Sequence, residues 1–88
     1  MLFAITYEID PSARDIAQER FASTGAPAPD GVEMIARYHY AEGLAGITIA
    51  ESDSASAIAR WTQEWTDCLN FDVAPVVTDE EMAAILGG

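Results

Sequence analysis

The chain has no lysine, a single histidine, a single cysteine, and no apolar run that approaches the ~20 residues of a membrane span. Each shortage removes a class of function. One cysteine, Cys68, forbids an internal disulfide, and with neither a CxxC pair nor a Cys/His cluster there is no ligand set for a structural metal. Four arginines stand against fifteen acidic side chains, a formal charge of −11. A surface of that sign repels phosphate backbones and anionic head groups, which sets aside nucleic-acid and membrane partners. The opening MLFAITYEID lacks a basic n-region and meets an acid at Glu8, so it does not read as a secretory signal, and the cytoplasm is the expected location. The run GAPAPDG over residues 25–31 neither follows a strand nor opens a helix as a phosphate loop must, which argues against a nucleotide cofactor.

What is present is one core's worth of apolar residues. Half of the 88 residues are hydrophobic, enough for a single domain over 1–88 and too few for two. A chain this small buries only roughly 60–65% of the surface its unfolded form exposes, so self-association is expected to cover more. The apolar content is too high and too periodic for acidic disorder, and the charge reads as a solvated surface.

The periodicity predicts strands over 2–9, 32–41, 44–51 and 70–77. The middle two are joined by a tight turn at Glu42-Gly43, where glycine supplies positive φ. Pro75 confines the last strand to a sheet edge or to the strand's end. A first helix is expected over 12–23, opened by Ser12 and Asp15 and continued by Ala13, Ile16, Ala17 and Phe21. Ser52 to Ser56 offer caps for a second, with Ile58, Trp61, Trp65 and Cys68 on one face. Thr78 and Glu81 cap a last helical segment through Leu86. The order β-α-β-β-α-β is that of an α+β, ferredoxin-like sandwich with a four-stranded antiparallel sheet.

Gly31-Val32, Tyr38-His39-Tyr40, Glu51-x-Asp53, Trp61, Trp65-x-Asp67 and Phe71-Asp72-x-x-Pro75-Val76 together resemble the DUF3303 family of small bacterial proteins, over most of the chain. These motifs are structural rather than catalytic. The resemblance implies the dimeric α/β-barrel superfamily, in which two four-stranded sheets face each other around a cavity. Monooxygenases, cyclases, isomerases, haem-handling enzymes and ligand-sensing domains belong to it. Asp72 and Ala74 depart from the family strand by being shorter than its usual residues, a change expected to enlarge a cavity beside them.

Strand alternation sorts side chains onto two faces. Phe3, Ile5, Tyr7, Met34, Ala36, Tyr38, Ile47, Ile49, Phe71 and Val73 form a bulky set, expected under the helices. Ala4, Thr6, Glu8, Arg37, His39, Gly46, Thr48, Ala50, Asp72 and Ala74 form a small, polar set, expected to line the barrel of a homodimer. Within the second set His39 is the candidate proton-transfer group, with Glu8 or Asp72 as the carboxylate that orients it. Thr6, Arg37 and Thr48 are candidate substrate contacts, joined by the Tyr40 hydroxyl and by Trp65 as a stacking surface. Each has a plainer alternative: an ordinary strand histidine, solvated carboxylates, an ion-paired arginine, core aromatics. The expectation is a small homodimer without metal or cofactor that binds a compact organic molecule. Proton-transfer chemistry in bacterial secondary metabolism (cyclisation, isomerisation or dehydration) is one outcome; a non-catalytic carrier or a structural dimerisation domain is the other. A haem-ligand role for His39 follows only from the superfamily.

Overall fold

The structure, a computed structural model, describes residues 1–87. Four strands, β1 (Leu2–Glu8), β2 (Glu33–His39), β3 (Ala45–Glu51) and β4 (Asn70–Val76), form one antiparallel sheet in the order β2-β3-β1-β4. Helices α1 (Arg14–Thr24) and α2 (Ala55–Gln63) form the two crossovers, and α3 (Asp79–Gly87) follows β4. This is the ferredoxin-like arrangement, and Pro75 sits on an edge strand.

The local chemistry of the elements is mostly as the sequence implies, with three differences. Asp10, rather than a Ser12–Asp15 box, opens the first crossover: its carboxylate accepts from the Ser12 amide at 2.9 Å and the Ser12 hydroxyl at 2.6 Å, shaping a 3₁₀ turn over Pro11–Ala13 before α1. Ile16 faces solvent, 56% exposed, while Ala17 and Phe21 pack inward. The connection between β2 and β3 is longer than two residues, yet it keeps the expected register, with His39 opposite Gly46 and Arg37 opposite Thr48. Thr78 and Glu81 do form a reciprocal capping box: the Glu81 amide donates to Thr78 Oγ1 at 3.1 Å and the Thr78 amide to Glu81 Oε1 at 3.2 Å.

The main correction concerns the faces. Register sets Phe3 beside Ala50, Ile5 beside Thr48 and Tyr7 beside Gly46, so bulky β1 and small β3 residues share one side of the sheet. Phe71, Val73, Arg37 and His39 lie on that side too, and α1 and α2 cover it. The opposite, open side carries Ala4, Thr6, Glu8, Ala36, Tyr38, Ile47, Ile49, Asp72 and Ala74. Sorting by size paired large with large, whereas dense packing sets a large residue against a small one.

Two buried clusters hold the layers together. Phe3, Ile5, Ala50, Ile58 and Trp61 form one, and Ile9, Ala17, Trp65 and Cys68 the other. Arg20 on α1 straddles the second: it donates to both Asp67 carboxylate oxygens at 2.8 and 2.7 Å and to the Glu64 carbonyl at 3.1 Å, with its guanidinium 5.2 Å from the Trp65 ring centroid. That clamp fixes the spacing between α1 and the turn after α2. By contrast α3 buries none of its residues, and Met82, Ile85 and Leu86 are 44%, 63% and 78% exposed. No helix among the described residues is long and apolar enough to cross a membrane.

Candidate functional site

Between the two core clusters the covered face leaves a cavity of about 270 Å³. Its deep walls are Ile5, Ile9, Ala17, Thr48, Trp61 and Trp65, all buried. Phe21, Phe71, Tyr7 and Arg37 line it further out, and Gln18, His39 and Gly43 stand at the rim. At the rim the turn after β2 comes close to α1 at Gly43, whose φ of +86° favours glycine; a Cβ there would lie 2.9 Å from Gln18 Nε2, the movable end of a flexible side chain.

The polar groups converge on one side. Tyr7 Oη and His39 Nδ1 are 2.6 Å apart, reaching toward each other across β3. One hydrogen bond joins them, and the histidine tautomer sets which group donates. With the proton on Nδ1 donating to Oη, Nε2 holds the lone pair of a general base. Burial lowers the His39 pKa from its usual value and the nearby Arg37 charge lowers it further. Desolvation is partial, since one side of the ring meets solvent. Burial raises the Tyr7 pKa, opposed by Arg37 and assisted by Glu42. Both groups are therefore neutral near pH 7, the state a base and a hydroxyl donor require.

Arg37 is anchored rather than ion-paired. Nη1 donates to the Ala26 carbonyl at 2.8 Å and Nη2 to the Gly25 carbonyl at 2.9 Å, and the guanidinium sits 5.0 Å from the Phe21 ring centroid. It thus caps the C-terminal end of α1, where the helix dipole favours a cation. Among the described residues it has no carboxylate partner. Two of its five N–H groups are spent on those carbonyls. A charge without an acidic neighbour stands at the cavity wall, suited to a ligand that carries or develops negative charge.

Of the residues named from sequence, His39, Arg37, Thr48 and Trp65 are brought together around this cavity. Glu8, Thr6 and Asp72 are not: they lie on the open face, exposed, with the Thr6 hydroxyl donating to the Asp72 carbonyl at 3.5 Å. No carboxylate orients His39; the Tyr7 phenol does. Tyr40 lies in the β2–β3 connection, 58% exposed and outside the cavity lining. The cavity lies between sheet and helices of one chain, not between two sheets. Tyr7, Gln18 and Phe21 were absent from the candidates read from sequence, while Trp61 pairs with Trp65 in that reading as a stacking surface, with core packing as its plainer alternative. Tyr7 was legible through Gly46, a mid-strand glycine beside His39 that opens room for a large neighbour.

Comparison with known proteins places this geometry in a fold. The chain matches, over residues 1–88, the family described as "Domain of unknown function (DUF3303)". It is similar in structure to Rv0793 from Mycobacterium tuberculosis, at 18% identity and a TM-score of 0.50, covering 89% of this chain and 97% of that one. It is likewise similar to a candidate antibiotic biosynthesis monooxygenase from Deinococcus radiodurans, at 6% identity and a TM-score of 0.50, covering 89% and 94%. At these identities the likeness concerns the fold alone. No curated protein matches the chain.

Proposed function

The chain belongs to the DUF3303 family, whose description assigns no activity, and from the cavity itself we propose a homodimeric protein in which each protomer binds one compact organic molecule between sheet and helices and moves a proton on it. One observation carries this reading: a 2.6 Å Tyr7–His39 pair, beside an arginine without a carboxylate partner, in the wall of a cavity otherwise lined by aromatic and aliphatic groups. Convergent polar groups in an apolar concavity are what a small-molecule site consists of. The volume, about 270 Å³, lies just below the roughly 300–1,000 Å³ common for such sites, so the ligand is small, of one or two rings.

The chemistry follows from the charges. Neutral His39 accepts a proton from an acidic C–H or O–H of the ligand at one ring nitrogen, while its other nitrogen engages Tyr7. The conjugate base so formed is an enolate or phenolate, and the Arg37 charge stabilises it as it develops. Returning the proton from His39 to a different atom completes an isomerisation; giving it instead to a β-hydroxyl, whose C–O bond breaks so that it leaves as water, completes a dehydration. Side chains supply every step, so the reading needs no cofactor. The homodimer is supported by the exposed apolar side chains of α3 and by the half-buried Ile47 and Ile49 of the open face.

The test is exchange. Compact cyclic 1,3-diketones and phenols are incubated with the protein in D₂O, and ligand C–H exchange is followed by NMR together with the ring signals of the sole histidine. Protein-dependent exchange, with binding signals on His39, is expected. Binding without exchange would reduce the reading to that of a carrier. Ligands that perturb only open-face residues would overturn the site.

A further inference from the structure

Gly46 is a glycine in the middle of a strand, where glycine weakens pairing and gives up packing. Its backbone gives no reason for it: positive φ occurs at Gly25, Gly31 and Gly43 and not here. The reason is steric. In the ladder Gly46 faces Tyr7 on β1 and His39 on β2, so the three form one row across the sheet with glycine in the centre. Adjacent strands lie about 4.8 Å apart, which separates Tyr7 and His39 by roughly twice that. Side chains two strands apart meet only if nothing stands between them. Here the phenol ring lies across the glycine: a Cβ built on Gly46 would fall 2.1 Å from Tyr7 Cε2 and 2.5 Å from both Cζ and Oη. No real Cβ tolerates that approach, and the obstructing atoms include the hydroxyl that pairs with His39.

We propose that Gly46 is a positioning residue, which seats the Tyr7 ring across β3 so that its hydroxyl reaches His39 and the two act as one unit. The inference rests on the functional reading only for the purpose of the pair; the seating itself concerns Tyr7, Gly46 and His39. Any side chain at 46 closes the slot, turns the phenol outward into the cavity or away from it, and leaves the imidazole without its partner.

The experiment uses His39 as its own reporter, since it is the only histidine. Ring resonances are followed against pH in the wild type, Tyr7→Phe, Gly46→Ala, and the double variant Gly46→Ala/Tyr7→Phe. Tyr7→Phe removes the oxygen that accepts from Nδ1–H, a bond stronger to the charged ring, and is expected to move the His39 titration downward. Gly46→Ala is expected to move it the same way and at least as far, and the double variant no further than Gly46→Ala alone. A folded Gly46→Ala protein whose His39 titrates as in the wild type overturns the proposal, as does a double variant shifted by the sum of the singles. If Gly46→Ala does not fold, Gly46→Ala/Tyr7→Ala decides: recovered folding shows that the clash was with the Tyr7 ring, and continued failure means that the sheet itself needs glycine. None of these outcomes depends on a ligand. Failure of the functional reading is read separately, in unchanged ligand exchange by the Tyr7→Phe protein.

Discussion

The two faces of the sheet differ less in how their residues pair than in what covers them. On the covered face each row alternates large and small: Phe3 with Ala50, Ile5 with Thr48, Tyr7 with Gly46. On the open face the pairs are again small with large, Ala4 with Ile49 and Thr6 with Ile47, but α1 and α2 lie on the other side of the sheet, and Thr6, Glu8, Tyr38 and Asp72 stand exposed around them. The first face, roofed by α1 and α2, encloses the cavity, with Thr48 in its wall and the Tyr7 ring laid across Gly46. The second presents exposed polar and half-buried apolar side chains. In the proposed function the first face holds the chemistry and the second is left for association.

The sharpest way to break this division is to remove a base from one face and acids from the other. His39→Ala is expected to cost about 10²–10⁴-fold in proton exchange, with folding retained because the ring lies at the cavity rim. Glu8→Gln and Asp72→Asn, on the open face, are expected to leave the rate within about twofold. A large loss in either carboxylate variant would move the site to the other side of the sheet.

Association gives the converse test. Ile85→Glu with Leu86→Glu places charge on the two most exposed large apolar side chains of α3. Light scattering after gel filtration is expected to find the wild type dimeric and this variant monomeric, with ligand binding in the cavity intact. A wild type that is monomeric at all concentrations sinks the dimer and spares the cavity. Arg37→Met probes the covered face more gently. It deletes two charge-assisted hydrogen bonds to the end of α1, each worth about 1.5–3 kcal/mol at most. Chemical denaturation is expected to show a loss near the low end of that range, since Arg37 is only partly buried and methionine keeps much of its apolar contact.

How much of this was legible follows from what each feature depends on. Element order and the His39–Gly46 register rest on local signals, periodicity and a turn glycine, and both are visible in one sequence. The Thr78–Glu81 box is equally local. The pairing of β1 with β3 is not: those strands are joined through a helix and a second strand, and a one-residue slip exchanges their faces. Hence His39 and Arg37 were found while Tyr7 was assigned to the opposite side, and Glu8 and Asp72 were drawn into a site they do not reach. Arg37's partners could not be read either, because they are backbone carbonyls of Gly25 and Ala26, which no side-chain pattern encodes.

The smallest expected effect separates the two regions by pH. His39 has a folded pKa below its usual 6.5 through burial and then Arg37. Between that depressed value and about 6.5 the unfolded chain binds more protons than the folded one, so stability rises with pH across the interval and is lost on acidification through it. Asp67, at the outer clamp, behaves differently: the Arg20 hydrogen bonds lower it from 3.8 to about 2. Its contribution is complete above 3.8 and disappears as pH falls toward about 2. Asp67 is exposed, so solvent screens the pair and the arm is shallow. Denaturation midpoints measured from pH 8 to 2 should therefore fall in two separate steps. His39→Gln should erase only the step that begins below 6.5, and Asp67→Asn should shrink only the step below 3.8, to which Asp10, hydrogen-bonded to Ser12, also contributes. If His39→Gln leaves the upper step in place, the imidazole is not desolvated by the cavity, and the neutral base on the covered face loses its physical ground.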